Sequence, residues 1–426
     1  MDVQDDSIGK FVQVNSSETP IHRLPEELLV YVFQIIVRYS PLSIGRLLFV
    51  SRYWYSVIRN MPSLWSRIRI APRISNDILK CTQYAMVTLA NSTDSLLDVT
   101  IDLHQYTYWD KRRYGLSPNR SLLELDDVHF TRLFRVLLGN DGSNLARWRS
   151  FRVRLPYPSS QFEPNTAFGR FIEELRHPIP HLESLSLHLN PADEYFPKIR
   201  GTLQHLRRLT MDAGGHLGYL DYHPKNIEIL YFRLWNSTKV ISQFTNLQHL
   251  SISSAPNYGI THKDDPVIVF PLLQSLTLHV WYSWLGLSSV KELTRKIRAP
   301  LLDTLRLLGD DAILAVAEAT AFHHVDTLDL LSLKEVPDIL LRFIRDSLPS
   351  YTALTSLTVT PWHIGYVRNG LRTLKDKGRL PVHLETVYTI VSDNEGIALN
   401  YGTANSVLTM GRLASEYLYR SHSLSG

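Results

Sequence analysis

The side chains that could do chemistry in this chain are few and scattered. His323-His324 beside Asp326 is the nearest approach to a ligand cluster, but adjacent residues on a helix or strand point in different directions. Glu173-Glu174 and Asp310-Asp311 are neighbours along the chain rather than carboxylates posed across a cleft, so they read as solvated charge. No Gly-x-Ser-x-Gly elbow occurs, no Gly-rich phosphate loop ending in Lys-Ser/Thr and no His-Glu-x-x-His. The lone Cys81 would need an activating base that the sequence does not identify. The expectation is a non-catalytic protein with no cofactor and no metal. What remains is the chemistry of recognition. Tyr106, Tyr108, Trp109, Lys111, Arg112, Arg113 and Tyr114 make His104 to Asp127 an aromatic and basic stretch, suited to nucleic acid or an acidic peptide, or else a solvated insertion.

Composition narrows the setting. The 45 basic and 41 acidic residues leave a balance of +4, too mild to argue for nucleic acid as a partner. A single cysteine excludes an internal disulfide and a Cys-based zinc cluster, and fits a reducing compartment. Met1 to Thr19 is polar, with no charged-then-apolar leader. The longest apolar run, Leu28 to Val37, is too short to span a bilayer. These features predict a cytoplasmic or nuclear protein with no membrane contact, in which sequons such as those at Asn91 and Asn236 are chance matches.

Any recognition surface needs elements to position it, and the first are helical. Pro25 suits a first helical turn and Glu26-Glu27 suit the positive end of the helix dipole. Leu28, Leu29, Val32, Phe33, Ile35, Ile36 and Val37 continue that helix to Ser40-Pro41, with an apolar surface too broad for one buried stripe. Ile44, Leu47, Leu48 and Val50 form a second short run. Ser51 caps a third helix holding Trp54, Val57 and Ile58, which Pro62 ends; Trp65 and Ile68 come next as large apolar anchors. Three short helices cannot bury this much apolar surface among themselves, so part of it needs a neighbour or a partner.

Leu24-Pro25-Glu26-Glu27-Leu28-Leu29, Phe33, Leu47-x-x-Val50-Ser51-x-x-Trp54 and Pro62-Ser63-Leu64-Trp65 together resemble the F-box family. The resemblance covers about an eighth of the chain. It implies a module docking on the SKP-type adaptor of cullin-based ubiquitin ligases, with Leu24, Pro25, Leu28 and Leu29 at the interface and Leu47 and Val50 supporting it. Trp54 and Trp65 would lock the helices and join them to the rest of the chain. The link Arg38-Tyr39-Ser40-Pro41-Leu42-Ser43 lacks the acidic residue that many members carry there. A plain three-helix cap on a larger domain is the alternative.

Beyond the helices an apolar-x-x-apolar-x-apolar pattern recurs. Clear copies start at Leu182, Leu206, Ile227, Leu247, Leu273, Leu302, Val325 and Leu354, and weaker ones at Leu96, Trp148 and Leu384. From the Leu182 copy onward their spacing of about 20 to 30 residues is that of leucine-rich repeats. Each copy predicts one strand with alternate residues inward, and the residues between copies return as a helix or extended turn. The Asn or Cys expected after the third apolar position is mostly missing, as at His279 and Leu308, so the repeats resemble the degenerate ones of fungal-type F-box proteins. An ordinary α/β domain with Leu-rich strands is the alternative.

The predicted fold class is therefore α/β: a flexible segment 1–19, a three-helix module 20–70, a repeat solenoid 71–391 with a parallel sheet on its concave face, and a C-terminal cap and tail 392–426. Concave positions would include Ser186, Thr210, Ser251, Ser253, Thr277, Arg306, Asp329 and Thr358. Tyr231, Arg233, Trp235, His279 and Trp281 are the candidates for contact with a target protein, because Tyr, Trp and Arg dominate binding hot spots. The alternative for the two Trp side chains is that they fold into the core. Function is predicted as substrate recognition for a ubiquitin ligase, the adaptor linking the chain to a cullin. An interaction scaffold with no ligase role is the second reading.

Overall fold

The computed structural model describes residues 24–40, 43–73, 75–103, 127–154, 167–175, 177–188, 199–211, 220–234, 241–254, 267–280, 284–317, 319–331, 338–390 and 398–403. The first helices fall where the caps and breakers put them. Helix α1 spans Glu26–Tyr39, α2 Ile44–Leu47 and α3 Arg52–Arg59. Pro25 precedes α1, and the Ser51 hydroxyl accepts the Trp54 N–H at 3.1 Å, satisfying an orphan donor of α3. Leu29, Phe33, Val37, Ile44, Leu47, Trp54, Ile58 and Trp65 fill a small core of their own, where Phe33 and Trp54 meet edge to face at 4.8 Å between ring centres.

A short 3₁₀ turn, Pro62–Trp65, leads from this module into β1, Arg67–Ile70. By sequence these residues close the helical module; the structure makes Arg67–Ile70 the first strand of the sheet. Trp65-x-x-Ile68-x-Ile70 is in fact one more copy of the repeat. Trp65 faces the module's core, while Ile68 and Ile70 face the next one.

The chain then alternates between the sheet and its covering layer. Helix α4, Ser75–Ser92, leads to β2, Leu97–Asp102; α5, Asp127–Leu138, to β3, Trp148–Arg154; and α6, Ala167–Glu174, to β4, Ser184–His188. Strands β5, Ile199–Leu203; β6, Arg208–Met211; β7, Leu220–Tyr222; β8, Ile229–Leu234; and β9, His249–Ser254, succeed one another without a long helix among the described residues. Then come β10, Ile268–Val269; β11, Ser275–Val280; α7, Trp284–Lys296; β12, Ile297–Arg298; and β13, Thr304–Leu308. The last are α8, Asp310–Val316; β14, Thr327–Leu331; α9, Asp338–Asp346; β15, Ser356–Val359; α10, Ile364–Asp376; β16, Thr386–Ile390; and β17, Ala398–Thr403.

All eleven sequence copies of the repeat supply strands of one sheet. Its order is β1-β2-β3-β4-β6-β8-β9-β11-β13-β14-β15-β16-β17, so chain order and spatial order agree. Twelve strands run parallel and β17 alone is antiparallel, paired to β16. The minor pairs β5–β7 and β10–β12 are also parallel and lie outside this sheet. Such a solenoid-like α/β stack works because each strand reads apolar at alternate positions: Leu185 and Leu187, Leu276 and Leu278, Leu305 and Leu307 are all buried on the helix side. An aromatic cluster of Phe134, Trp148, Phe151, Phe168 and Phe171 fills that side beneath β3. Arg147 closes the exit of α4, donating to Ser92 Oγ at 2.7 Å and to the Ser95 carbonyl at 3.0 Å.

Candidate functional site

Helix α1 carries two apolar stripes. Leu29, Val30, Phe33 and Val37 face the module's core. Leu28, Tyr31, Val32 and Ile35, spaced i, i+3, i+4, i+7, form a second stripe that is exposed: 53 % for Leu28 and 61 % for Tyr31. In the turn after α2, Phe49 is 88 % and Val50 56 % exposed. A module that fills its core and still presents six large apolar side chains has a surface suited to a partner.

The residues singled out for adaptor binding divide accordingly. Leu28 and Val50 lie on the exposed surface, Pro25 is exposed at the start of α1, and Leu24 is half-buried. Leu29 and Leu47 are buried in the module's core, so their contribution is to hold α1 and α2 in place rather than to stand at a surface. Tyr31, Ile35 and Phe49 are additions. Their signal in the sequence is the breadth of the apolar surface on α1, but helical spacing alone does not say which stripe turns inward.

The face of the sheet opposite the buried leucines carries polar residues in register. One row runs Arg69, Thr100, Arg152, Ser186, Thr210, Tyr231, Ser251, Thr277, Arg306, Asp329, Thr358 and Tyr388. Tyr231 and His279 are both half-buried on this face. Arg233, Ser253 and His279 share the adjoining row, so the parallel register brings three of the five target-contact candidates within the consecutive strands β8, β9 and β11. Trp235 and Trp281 lie outside the described residues, as do the aromatic and basic residues 104–126.

Three positions expected to face outward are buried instead: Ser253, Asp329 and Thr358. Asp329 is held by Arg306, whose Nε donates to its Oδ2 at 2.8 Å, so this carboxylate serves the lattice of the sheet. The groups that could have done catalysis are dispersed. His324 Nε2 sits 3.1 Å from the Ala299 carbonyl oxygen, while His323 lies against the Tyr351 ring, and burial, then His324, lowers the His323 pKa. Burial raises the Cys81 thiol pKa, which keeps it protonated and a poor nucleophile. Among the described residues no group of three His, Cys, Asp or Glu could hold a metal, and no helix is long and apolar enough to cross a membrane.

Residues 21–71 match the F-box-like family model, so the chain carries an F-box-like domain across the module and β1. No curated protein matches the chain. F-box domains are typically non-catalytic modules that bind SKP-type adaptors.

Proposed function

We propose that this F-box-like protein is the substrate-recognition subunit of an SKP–cullin–F-box ubiquitin ligase: the helical module holds the adaptor, through it a cullin, and the open face of the sheet holds a target protein. Ubiquitin transfer then occurs on other subunits, and this chain contributes no reacting group. It acts in the cytoplasm or nucleus, where those partners work.

The observation that carries this reading is the exposed stripe Leu28, Tyr31, Val32 and Ile35 with Phe49 and Val50, set on a module whose own core is complete. Fully burying a side chain of this kind contributes roughly 1.5–3 kcal/mol, and these six, already partly covered, each contribute the share that is still exposed. For the target, Tyr231, Arg233 and His279 lie within three consecutive strands of the sheet. Trp235 and Trp281 extend that set by their place in the sequence.

Co-purification of the full chain with an SKP-type adaptor tests the reading. Wild type retains the adaptor, and the Leu28→Asp, Phe49→Asp double variant releases it while keeping its unfolding temperature. Failure of the wild type to retain the adaptor overturns the ligase role. If wild type binds but deletion of residues 21–70 lengthens no partner's half-life in cells, the interaction-scaffold reading replaces it.

A further inference from the structure

The N-terminal end of the open face holds a groove of about 780 Å³ which, among the described residues, is lined by eight arginines and four carboxylates. Part of this charge is matched internally. Asp98 is clamped by Arg149, at 3.1 Å from Nε and 2.6 Å from Nη2, with Arg67 at 3.7 Å. That bond to Asp98 raises the Arg149 pKa. Arg207 pairs with Glu228 at 3.6 Å. Arg69, Arg152, Arg154 and Arg208 are different: all four are exposed, and none of their guanidinium groups makes a hydrogen bond or ion pair among the described residues.

Register fixes how these four are spread. Arg69 on β1 and Arg152 on β3 share a row with Thr100 between them. Arg154 lies two residues further along β3, and Arg208 on β6 occupies the row of Ser150 and Ser184. Strand spacing puts the Arg69 and Arg152 backbones about 10 Å apart, and the i, i+2 repeat separates Arg152 from Arg154 by about 6.7 Å. Thr100 and Ser184 beside these rows are short, while Asp102 and His188 flank Arg154 in register. From the module, Arg38 at the last turn of α1 lines the same groove. Like charges held this close repel, and an anion laid among them relieves that repulsion.

We propose that this groove binds an acidic segment of the target protein, an extended stretch whose Asp and Glu carboxylates pair with Arg69, Arg152, Arg154 and Arg208. An extended peptide presents alternate side chains about 6.7 Å apart, the spacing of Arg152 and Arg154. Planar guanidinium groups take carboxylates in two-bonded pairs, as Arg149 already does with Asp98. A nucleic acid fits less well, because four carboxylates interrupt the lining among the described residues. The inference rests on the target-recognition reading above and gives it a place, beside the module that holds the adaptor.

The test is fluorescence anisotropy of the full chain with a labelled decapeptide of alternating Glu and Ser, its Gln-Ser counterpart, and a labelled oligo-dT of equal length. The Glu-Ser peptide binds, more weakly as salt rises, and the Gln-Ser peptide does not. Arg152→Ala with Arg154→Ala weakens Glu-Ser binding by about tenfold or more. Arg342→Ala with Arg345→Ala, on α9, leaves it unchanged. Both double variants keep the wild-type unfolding temperature and the wild-type capture of adaptor. The proposal is overturned by absence of Glu-Ser binding at low salt, by equal binding of the Gln-Ser peptide, by equal affinity in the Arg152/Arg154 variant, or by tighter binding of oligo-dT. Loss of adaptor capture in the wild type with Glu-Ser binding intact overturns the ligase reading and leaves the groove standing.

Discussion

The indole Nε1 of Trp65 donates a hydrogen bond to the Ile58 carbonyl oxygen at 2.9 Å, tying the turn that enters the sheet to the last turn of α3. Trp65 belongs to the module's core and Ile68, three residues on, to the core of the stack, so this one bond stands at the seam between two hydrophobic cores. The Ile58 oxygen also accepts from the Met61 N–H at 3.3 Å. Trp65→Phe therefore leaves that carbonyl partnered and costs about 1 kcal/mol for the lost hydrogen bond, with a further cost for the space the smaller ring leaves. Trp65→Ala also empties the ring's space and costs about 3–5 kcal/mol. Urea denaturation followed by circular dichroism measures both; equal costs would show that the ring's packing contributes nothing at the seam.

Leu28 and Leu29 are neighbours in sequence on different faces of α1. Leu29 is fully buried in the module, so Leu29→Ala lowers stability by about 2–5 kcal/mol. Leu28 is exposed, so Leu28→Ala changes stability by no more than about 0.5 kcal/mol, and on the proposed adaptor contact it weakens adaptor binding about tenfold. Calorimetric titration with the adaptor, set beside denaturation of the free chain, separates the two. A Leu28→Ala protein that binds as tightly as wild type would remove that stripe from the interface.

The strands are legible in the sequence because a parallel stack repeats one local demand: alternate apolar positions facing the helices. Leu276 and Leu278, or Leu305 and Leu307, announce it without any knowledge of neighbours. The first strand escapes because Trp65-x-x-Ile68-x-Ile70 overlaps the helical motif, and one residue cannot advertise both cores. Register is another matter. Arg69, Arg152 and Arg208 lie far apart along the chain, and only strand pairing brings them to one groove. The burial of Asp329 is likewise invisible locally, since its position within β14 matches that of exposed Arg306 within β13.

Gly309 joins β13 to α8 at φ +93°, a conformation that L side chains rarely adopt. Its N–H donates to the Leu331 carbonyl at 2.9 Å, and a Cβ there would sit 2.5 Å from the Val280 carbonyl oxygen. Val280 ends a strand of the sheet, so that oxygen cannot move aside cheaply. Gly309→Ala thus costs at least about 1–3 kcal/mol from the backbone alone. Gly365→Ala, in α10 where nothing lies within 4 Å of the new methyl, gains about 0.5–1 kcal/mol instead. Opposite signs in guanidinium denaturation are the expected result, and a neutral Gly309→Ala would mean that the β13–α8 junction is free to rebuild.

Tyr351 contributes to the loss of stability at alkaline pH. Its ring is fully buried near His323 and Phe343, its hydroxyl has no hydrogen-bond partner among the described residues, and burial pushes its pKa well above the usual tyrosine value. The folded state therefore keeps a proton that the unfolded chain loses above about pH 10, and unfolding gains ground as pH rises through that window. The slope reaches at most about 1.4 kcal/mol per pH unit from this group. Cys81, also raised by burial, begins the same trend at lower pH, and Tyr84 adds to it. Tyr351→Phe removes an unpaired buried hydroxyl, so at about pH 7.5 it is neutral or stabilising by about 1 kcal/mol. At about pH 10.5 its advantage over wild type is larger, because it no longer shares the tyrosine's slope. Denaturation at the two pH values decides the matter: an advantage that stays constant or shrinks would mean that Tyr351 ionises in the folded protein as readily as in the unfolded chain.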